Sequence, residues 1–196
     1  ADRIEEHVEQ MAFHYTESKN PERALPYLIR AGKRAADRFA NEEALRYYQT
    51  AAEFLNQTTP TREQRVQVYQ GLGGVQSFIG DYDGALASFQ TALELVRASN
   101  NPQVRQSTPE IMRLMGRVHE RRGDYAEALR WLEDALAELD RDPDSTNSVT
   151  RVRVYNDTGW VHYRRGQFED AYQWRMRTLQ IVEGTDYYNE MASAYN

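Results

Sequence analysis

The sequence predicts an all-α protein built from antiparallel helix pairs. The first observation is a repeat of 43 residues, which places two sets of glycines at equivalent positions. The second is that each glycine of the later set is followed by a polar residue and a new apolar pattern with helical spacing. A glycine there suits the end of a helix, where the backbone needs a positive φ. The two sets are Gly73, Gly116 and Gly159, and Gly80, Gly123 and Gly166.

The first 60 residues predict three helices of less regular spacing, near residues 2–17, 21–38 and 41–57. Asn20-Pro21 and Asn41 mark the starts of the second and third helices. We expect a single repeat domain over 1–196, with irregular helices in 1–60 and regular repeats in 61–183. A further helical pattern begins at 185–196. With no initiator Met and no signal peptide, the sequence is expected to be a fragment of a longer chain.

The glycines of the earlier set fall inside predicted helices, where Gly costs about 1 kcal/mol relative to Ala. That cost is acceptable if the missing side chain lets the second helix of the pair approach closely. We expect small residues to face these glycines and an aromatic residue to fill the space near each turn. The facing residues are Ala85, Ala128 and Ala171, and the aromatic ones are Tyr82, Tyr125 and Phe168.

The residues shared by the repeats resemble the tetratricopeptide repeat (TPR). The repeat after residue 61 carries Tyr69, Leu72-Gly73, Tyr82, Ala85, Phe89 and Ala92; the next carries Met112, Met115-Gly116, Tyr125, Ala128, Leu132 and Ala135. The last repeat departs from the pattern at Arg175 and Thr178. The resemblance implies a right-handed superhelical solenoid whose first helices line a concave groove. It also implies a scaffold that binds a protein or peptide partner there.

A second resemblance concerns residues 14–51, which are similar to a stretch in large bacterial signal-transduction regulators. In those proteins an ATPase module, sometimes beside a cyclase, precedes a TPR array. This resemblance implies an alternative function, in which the array regulates an upstream ATPase or cyclase module of its own chain.

The TPR resemblance also identifies a candidate ligand groove on the first helices of the last two repeats. Arginine suits carboxylates, and aromatic side chains supply anchoring area. We therefore expect an acidic segment or a C-terminal carboxylate as the ligand. The alternative is a solvated face on which Glu110–Arg113 and Arg117–Glu120 pair locally. The groove residues are Arg113, Arg117, Arg121, Arg153, Asn156, Trp160, Tyr163 and Arg164.

Composition and motifs argue against several other classes of protein. The chain has no Cys, its four His lack metal-ligand spacing, and no nucleophile motif or phosphate loop is present. We therefore predict no catalytic site, no metal and no cofactor. A net charge of −6 argues against a nucleic-acid ligand, and no apolar run is long enough for a membrane helix. We further expect a cytoplasmic location and self-association through exposed solenoid ends.

Overall fold

The computed structural model describes residues 7–141 and 148–182, and every regular element within them is a helix. The chain divides into two compact units, residues 1–104 and 105–196. No helix in the described ranges is long and apolar enough to cross a membrane. The predicted helical pattern at 185–196 and the start of the predicted first helix, at 2–6, lie outside the described residues.

From residue 7 onward, the first unit contains five helices and a short helical turn. Each helix packs against the next in the chain, and the second also contacts the fourth. The three N-terminal helices agree with the predicted ones to within a few residues at most ends. The elements are α1 Val8–Glu17, α2 Pro21–Asp37, α3 Asn41–Phe54, α4 Arg62–Ile79 and α5 Tyr82–Arg97, followed by the turn Pro102–Arg105.

The described part of the second unit contains four helices in two pairs. They are α6 Thr108–Arg122, α7 Tyr125–Asp140, α8 Ser148–Arg164 and α9 Phe168–Val182. Helix α6 packs on α7 and α8 packs on α9, while α8 also contacts both α6 and α7. In both units, the first helix of the later pair contacts both helices of the preceding pair. The prediction of an all-α fold of helix pairs is confirmed.

One turn geometry recurs at five helix ends. A residue one or two positions after the helix has a positive φ, and the next backbone N–H donates to the carbonyl five residues earlier, as from Asp81 to Gln76 at 2.9 Å. This confirms the predicted glycine caps. The two N-terminal turns have the same geometry but no glycine, so the backbone there is strained by a side chain at positive φ. The five residues are Lys19, Phe39, Gly80, Gly123 and Gly166.

The interior glycines allow the close approach that the sequence predicts. A Cβ added at Gly73 would lie 2.9 Å from the Phe89 ring and 3.1 Å from the Ala85 carbonyl oxygen. A Cβ at Gly116 would lie 3.1 Å from both the Ala128 carbonyl oxygen and Leu132. The predicted pairing of glycine with alanine across each helix pair is therefore confirmed.

A close contact between an interior glycine and an aromatic ring also occurs in the N-terminal helices, where the sequence shows only irregular spacing. Gly32 of α2 packs on Tyr48 of α3, sixteen residues later, just as Gly73 packs on Phe89 sixteen residues later. The two glycines lie 41 residues apart. Phe39 occupies the position of the repeat's turn glycine, so the signal that marks the later turns is missing here.

The expected aromatic filling of the turns holds for two of the three residues. Tyr82 and Tyr125 are half-buried, but Phe168 is 65% exposed. The prediction was wrong for Phe168. Arg164 of the following pair lies over the Tyr125 ring at 5.8 Å and partly covers it, whereas no described residue covers the Phe168 ring in this way.

Candidate functional site

The eight predicted groove residues lie on α6 and α8, two helices that pack against each other. We call this set the Arg–aromatic face. Three members belong to α6 and five to α8, so the face draws on two successive repeats. They are Arg113, Arg117, Arg121, Arg153, Asn156, Trp160, Tyr163 and Arg164.

Arg113 is the buried member of the face, with 6% of its surface exposed. Its Nε and Nη2 atoms donate to the two carboxylate oxygens of Glu110 at 2.9 and 2.8 Å, and its Nη1 donates to Asp157 Oδ2 at 2.5 Å. Burial alone would lower the pKa of Arg113, but the two carboxylates hold that pKa above its ordinary value. Arg113 therefore stays charged and ties α6 to α8.

Asp157 is the acidic partner that sequence reasoning missed. It occupies the repeat position of Leu114, so nothing in the repeat pattern marks it as polar. In addition to Arg113, it faces Arg117, whose Nε lies 3.9 Å from Asp157 Oδ1. Its charge also favours the charged form of Arg175, whose pKa burial nonetheless keeps below its ordinary value.

Glu120 is a buried carboxylate that fixes two of the α8 residues. Its Oε1 atom accepts a hydrogen bond from Trp160 Nε1 at 3.0 Å and another from Arg164 Nη1 at 2.9 Å. The Arg164 guanidinium also lies 5.8 Å from the Tyr125 ring centroid. Trp160 and Arg164 are therefore held in defined orientations by groups on α6 and α7.

Local pairing along α6 accounts for only part of this arrangement. Glu110 and Arg113 do pair at i, i+3, as the solvated-face alternative predicts. Arg117 instead approaches Asp157, and Glu120 pairs with Arg164 on the other helix. The pattern is a network between helices rather than two surface ion pairs on one helix.

Two aromatic rings on α8 remain open to solvent. Trp160 and Tyr163 stack with their centroids 5.5 Å apart and an interplanar angle of 22°, and they are 42% and 53% exposed. Most of the binding energy in protein interfaces comes from a few such anchors, with Trp, Tyr and Arg the commonest. A pre-stacked, exposed pair loses little side-chain freedom when a ligand covers it.

The remaining members of the face differ in exposure. Arg121 is half-buried and Arg153 exposed, and both take part in interactions within the protein. The Oδ1 atom of Asn156 is buried and has no hydrogen-bond partner. The acidic residues of α6 and α8 are Glu110, Glu120 and Asp157.

The two histidines of the repeat face the turn that follows each first helix. His162 Nδ1 lies 3.1 Å from Gln167 Oε1, as expected for a packed histidine with one hydrogen bond. His119 Nδ1 lies 3.6 Å from Asp124 Oδ2, beyond hydrogen-bond distance. No group of three metal-ligating side chains occurs among the described residues.

Fold and face together describe a helical-repeat scaffold. The tetratricopeptide-repeat family profile matches residues 34–98 and 107–184, which is more than half of the chain. The protein therefore belongs to the tetratricopeptide repeat family. The first of these matches spans α3 to α5, and the second α6 to α9. A comparison with curated protein sequences finds no match.

Solved structures with the same fold share little sequence with this chain. Aspartyl phosphate phosphatase F from Bacillus subtilis superposes with a TM-score of 0.75 at 13% identity, covering 98% of this chain and 52% of that one. The Rap conjugation gene regulator of plasmid pLS20, solved with the Phr* peptide, gives 0.72 at 14%, covering 84% and 44%. BtubC from P. vanneervenii gives 0.67 at 16%, covering 95% and 72%. The chain thus spans about half the length of the first two.

Proposed function

We propose that the protein is an interaction scaffold whose Arg–aromatic face binds an acidic peptide segment of a partner protein. The observation that carries the proposal is the exposed Trp160–Tyr163 stack, held by buried Glu120 beside Arg164. The regulator of plasmid pLS20 was solved with a peptide, which supports a peptide as the ligand class. The aromatic pair supplies apolar contact area and the arginines select negative charge.

The arginines divide into two roles in this proposal. Arg113 is buried and pairs with Glu110 and Asp157, so it stabilises the face without contacting the ligand. Arg117 and Arg164 are about two-fifths exposed and each has one acidic neighbour, which leaves guanidinium N–H groups for a ligand carboxylate. An internal Asp or Glu and a C-terminal carboxylate would both fit, and peptides with free and amidated C-termini separate these two cases.

Charge reversal on the face tests the proposal directly. Twelve-residue acidic peptides with a central aromatic residue are titrated into the protein and followed by fluorescence anisotropy. Arg117→Glu combined with Arg164→Glu should weaken binding at least tenfold. The matched control is Arg130→Glu with Arg141→Glu, the same charge change on α7 and at the residue that follows it, which should leave affinity within about twofold.

Two features of the assay keep the result interpretable. Arg164→Glu places a second carboxylate beside Glu120, so Arg117→Gln with Arg164→Gln provides a version without that repulsion. Unchanged binding by both double variants would show that the face is not the ligand site. A single-stranded oligonucleotide in the same assay tests nucleic acid, whose binding would fall steeply with salt.

The regulatory alternative rests on the resemblance of residues 14–51 alone. In that case the ligand would be a segment of the same longer chain, and the isolated repeats would bind it when it is added as a separate peptide. A cytoplasmic location and self-association remain further proposals. The phosphatase name of the Bacillus subtilis neighbour describes that protein, and at 13% identity it transfers no activity to this chain.

A further inference from the structure

The aromatic stack on α8 continues past the predicted groove. Tyr163 meets Phe168 edge-to-face, with centroids 5.6 Å apart and an interplanar angle of 63°. The three rings therefore form an unbroken row from α8, across the turn at Gly166, to the first residue of α9. We call this row the aromatic ladder: Trp160, Tyr163 and Phe168.

The exposed fraction of the rings increases along the ladder from Trp160 to Phe168. Phe168 is the most exposed of the three rings at 65%, compared with 42% for Trp160. In the preceding repeat the equivalent ring, Tyr125, is half-buried and partly covered by Arg164. The ladder therefore offers apolar area that the described residues leave exposed.

The more exposed charged side chains differ between the two ends of the ladder. At the Trp160 end, Arg164 and Arg117 are about two-fifths exposed, while their partners Glu120 and Asp157 are 10% and 21% exposed. At the Phe168 end, Glu169 and Asp170 follow directly in the first turn of α9, and both are exposed. Glu169 accepts a hydrogen bond from Gln173 at 2.9 Å, and Asp170 lies 3.9 Å from His162, so both carboxylates keep acceptor capacity for a ligand.

We propose that the ladder binds an extended peptide with segregated charge: acidic at the Trp160 end, apolar over the three rings, and basic at the Phe168 end. The inference rests on the proposed function and adds the charge pattern and the direction in which the ligand leaves the face. A ligand that is acidic throughout would bring like charges together at Glu169 and Asp170. Such juxtaposition is the usual means by which interfaces reject a wrong partner.

Three synthetic peptides of twelve residues separate the charge patterns. All have the same apolar centre, and their flanks are acidic and basic, acidic on both sides, or basic on both sides. In fluorescence anisotropy at fixed ionic strength, the charge-segregated peptide should bind about tenfold more tightly than either of the others. That ratio corresponds to the 1.4 kcal/mol of a tenfold change in Kd.

Charge reversal at the Phe168 end should change the preferred peptide. Glu169→Lys with Asp170→Lys should make the doubly acidic peptide the tighter ligand. The matched control is Glu133→Lys with Asp134→Lys, the same charge change at exposed positions of α7, which should preserve the wild-type order. An unchanged order in the Glu169 and Asp170 variant would overturn the proposal.

Aromatic truncation tests the ladder itself. Phe168→Ala should weaken binding of the charge-segregated peptide about tenfold, whereas Tyr172→Ala, at a 57% exposed aromatic residue on α9 outside the ladder, should change little. Equal effects of the two changes would contradict the ladder. Sedimentation velocity excludes a different occupant: if Phe168→Ala converts a dimer to a monomer, a second copy covers the ring and the peptide assignment is wrong.

The outcomes separate this inference from the proposed function. If none of the three peptides binds, both fail. If the doubly acidic peptide binds as tightly as the charge-segregated one, and Arg117→Gln with Arg164→Gln abolishes both interactions, the face is a peptide site but the polarity is wrong.

Discussion

Replacing Gly71 with Ala should destabilise the first unit, whereas the same change at Gly74, three residues later in α4, should stabilise it. Both glycines lie in the helix interior, where Ala is favoured by about 1 kcal/mol. A Cβ at Gly74 would meet nothing within 4 Å. Gly74→Ala should therefore retain the whole gain of about 1 kcal/mol in the free energy of unfolding.

At Gly71 the added methyl group collides with Tyr48. Its position lies 2.2 Å from Cζ, 2.4 Å from Cε1 and 2.6 Å from Oη of that ring. The ring cannot withdraw, because Tyr48 is 5% exposed and already lies 3.0 Å from where a Cβ on Gly32 would stand. Overpacking typically costs about 1–3 kcal/mol, and because the overlap with Tyr48 is large we expect a cost at the upper end of that range. After the helix gain, the net loss is about 2 kcal/mol.

Urea unfolding followed by circular dichroism at 222 nm measures both changes. The three Trp residues all lie in the second unit, so Trp fluorescence serves as an internal control whose transition should not move. Adding Tyr48→Leu should remove most of the cost of Gly71→Ala, because the double variant takes away the colliding ring. If Gly71→Ala stabilised the unit as much as Gly74→Ala, the packing assignment of Tyr48 would be wrong.

Three further changes test the strain, the buried network and the buried phenol. Phe39→Gly should raise the urea midpoint, by about 1 kcal/mol of stability, because Phe39 holds a φ of 60° while 76% exposed; a lower midpoint would contradict the strain. Asp157→Asn should cost about 3 kcal/mol, since it weakens the pairing of buried Arg113, and a loss below about 0.5 kcal/mol would refute this. Burial raises the pKa of Tyr48 to about 12, so the folded state holds this proton more tightly than the unfolded state. The resulting stability is complete below pH 10 and is lost between pH 10 and 12, a loss of about 2–3 kcal/mol that Tyr48→Phe should abolish in unfolding measured across that range.

The regular part of the fold could be predicted because its signals are local. A glycine at a helix end and an apolar helical pattern reveal themselves in the residue types, as at Gly80 and Gly123. Helices α2 and α3 were predicted singly but not as a repeat unit, because Phe39 replaces the turn glycine and the spacing to the next repeat is 41 residues instead of 43. The backbone geometry at this turn is the same, but the glycine that would indicate it in the sequence is absent.

The site was harder to predict because its chemistry depends on contacts between helices. The repeat phase places Arg113 and Arg164 on the first helices of successive pairs, yet it cannot show that Arg113 is buried against Asp157 or that Arg164 is held by Glu120. Phe168 was expected to fill a turn, since it occupies the repeat position of Tyr82 and Tyr125. Its exposure depends on which groups lie over the ring, and residue type alone does not reveal that.

The central claim, that an acidic peptide docks on the Trp160 side of the Arg–aromatic face, is tested most directly by the indole N–H signals in ¹H–¹⁵N NMR. The chain has three Trp residues, so Trp→Phe variants assign the three signals. Titration with an acidic twelve-residue peptide should shift the Trp160 signal saturably, because that indole is bonded to Glu120 within the face. The signals of Trp131 and Trp174, on the second helices of the two pairs, should stay in place. A Trp160 signal that does not move at saturating peptide, while binding is detected by anisotropy, would contradict the account.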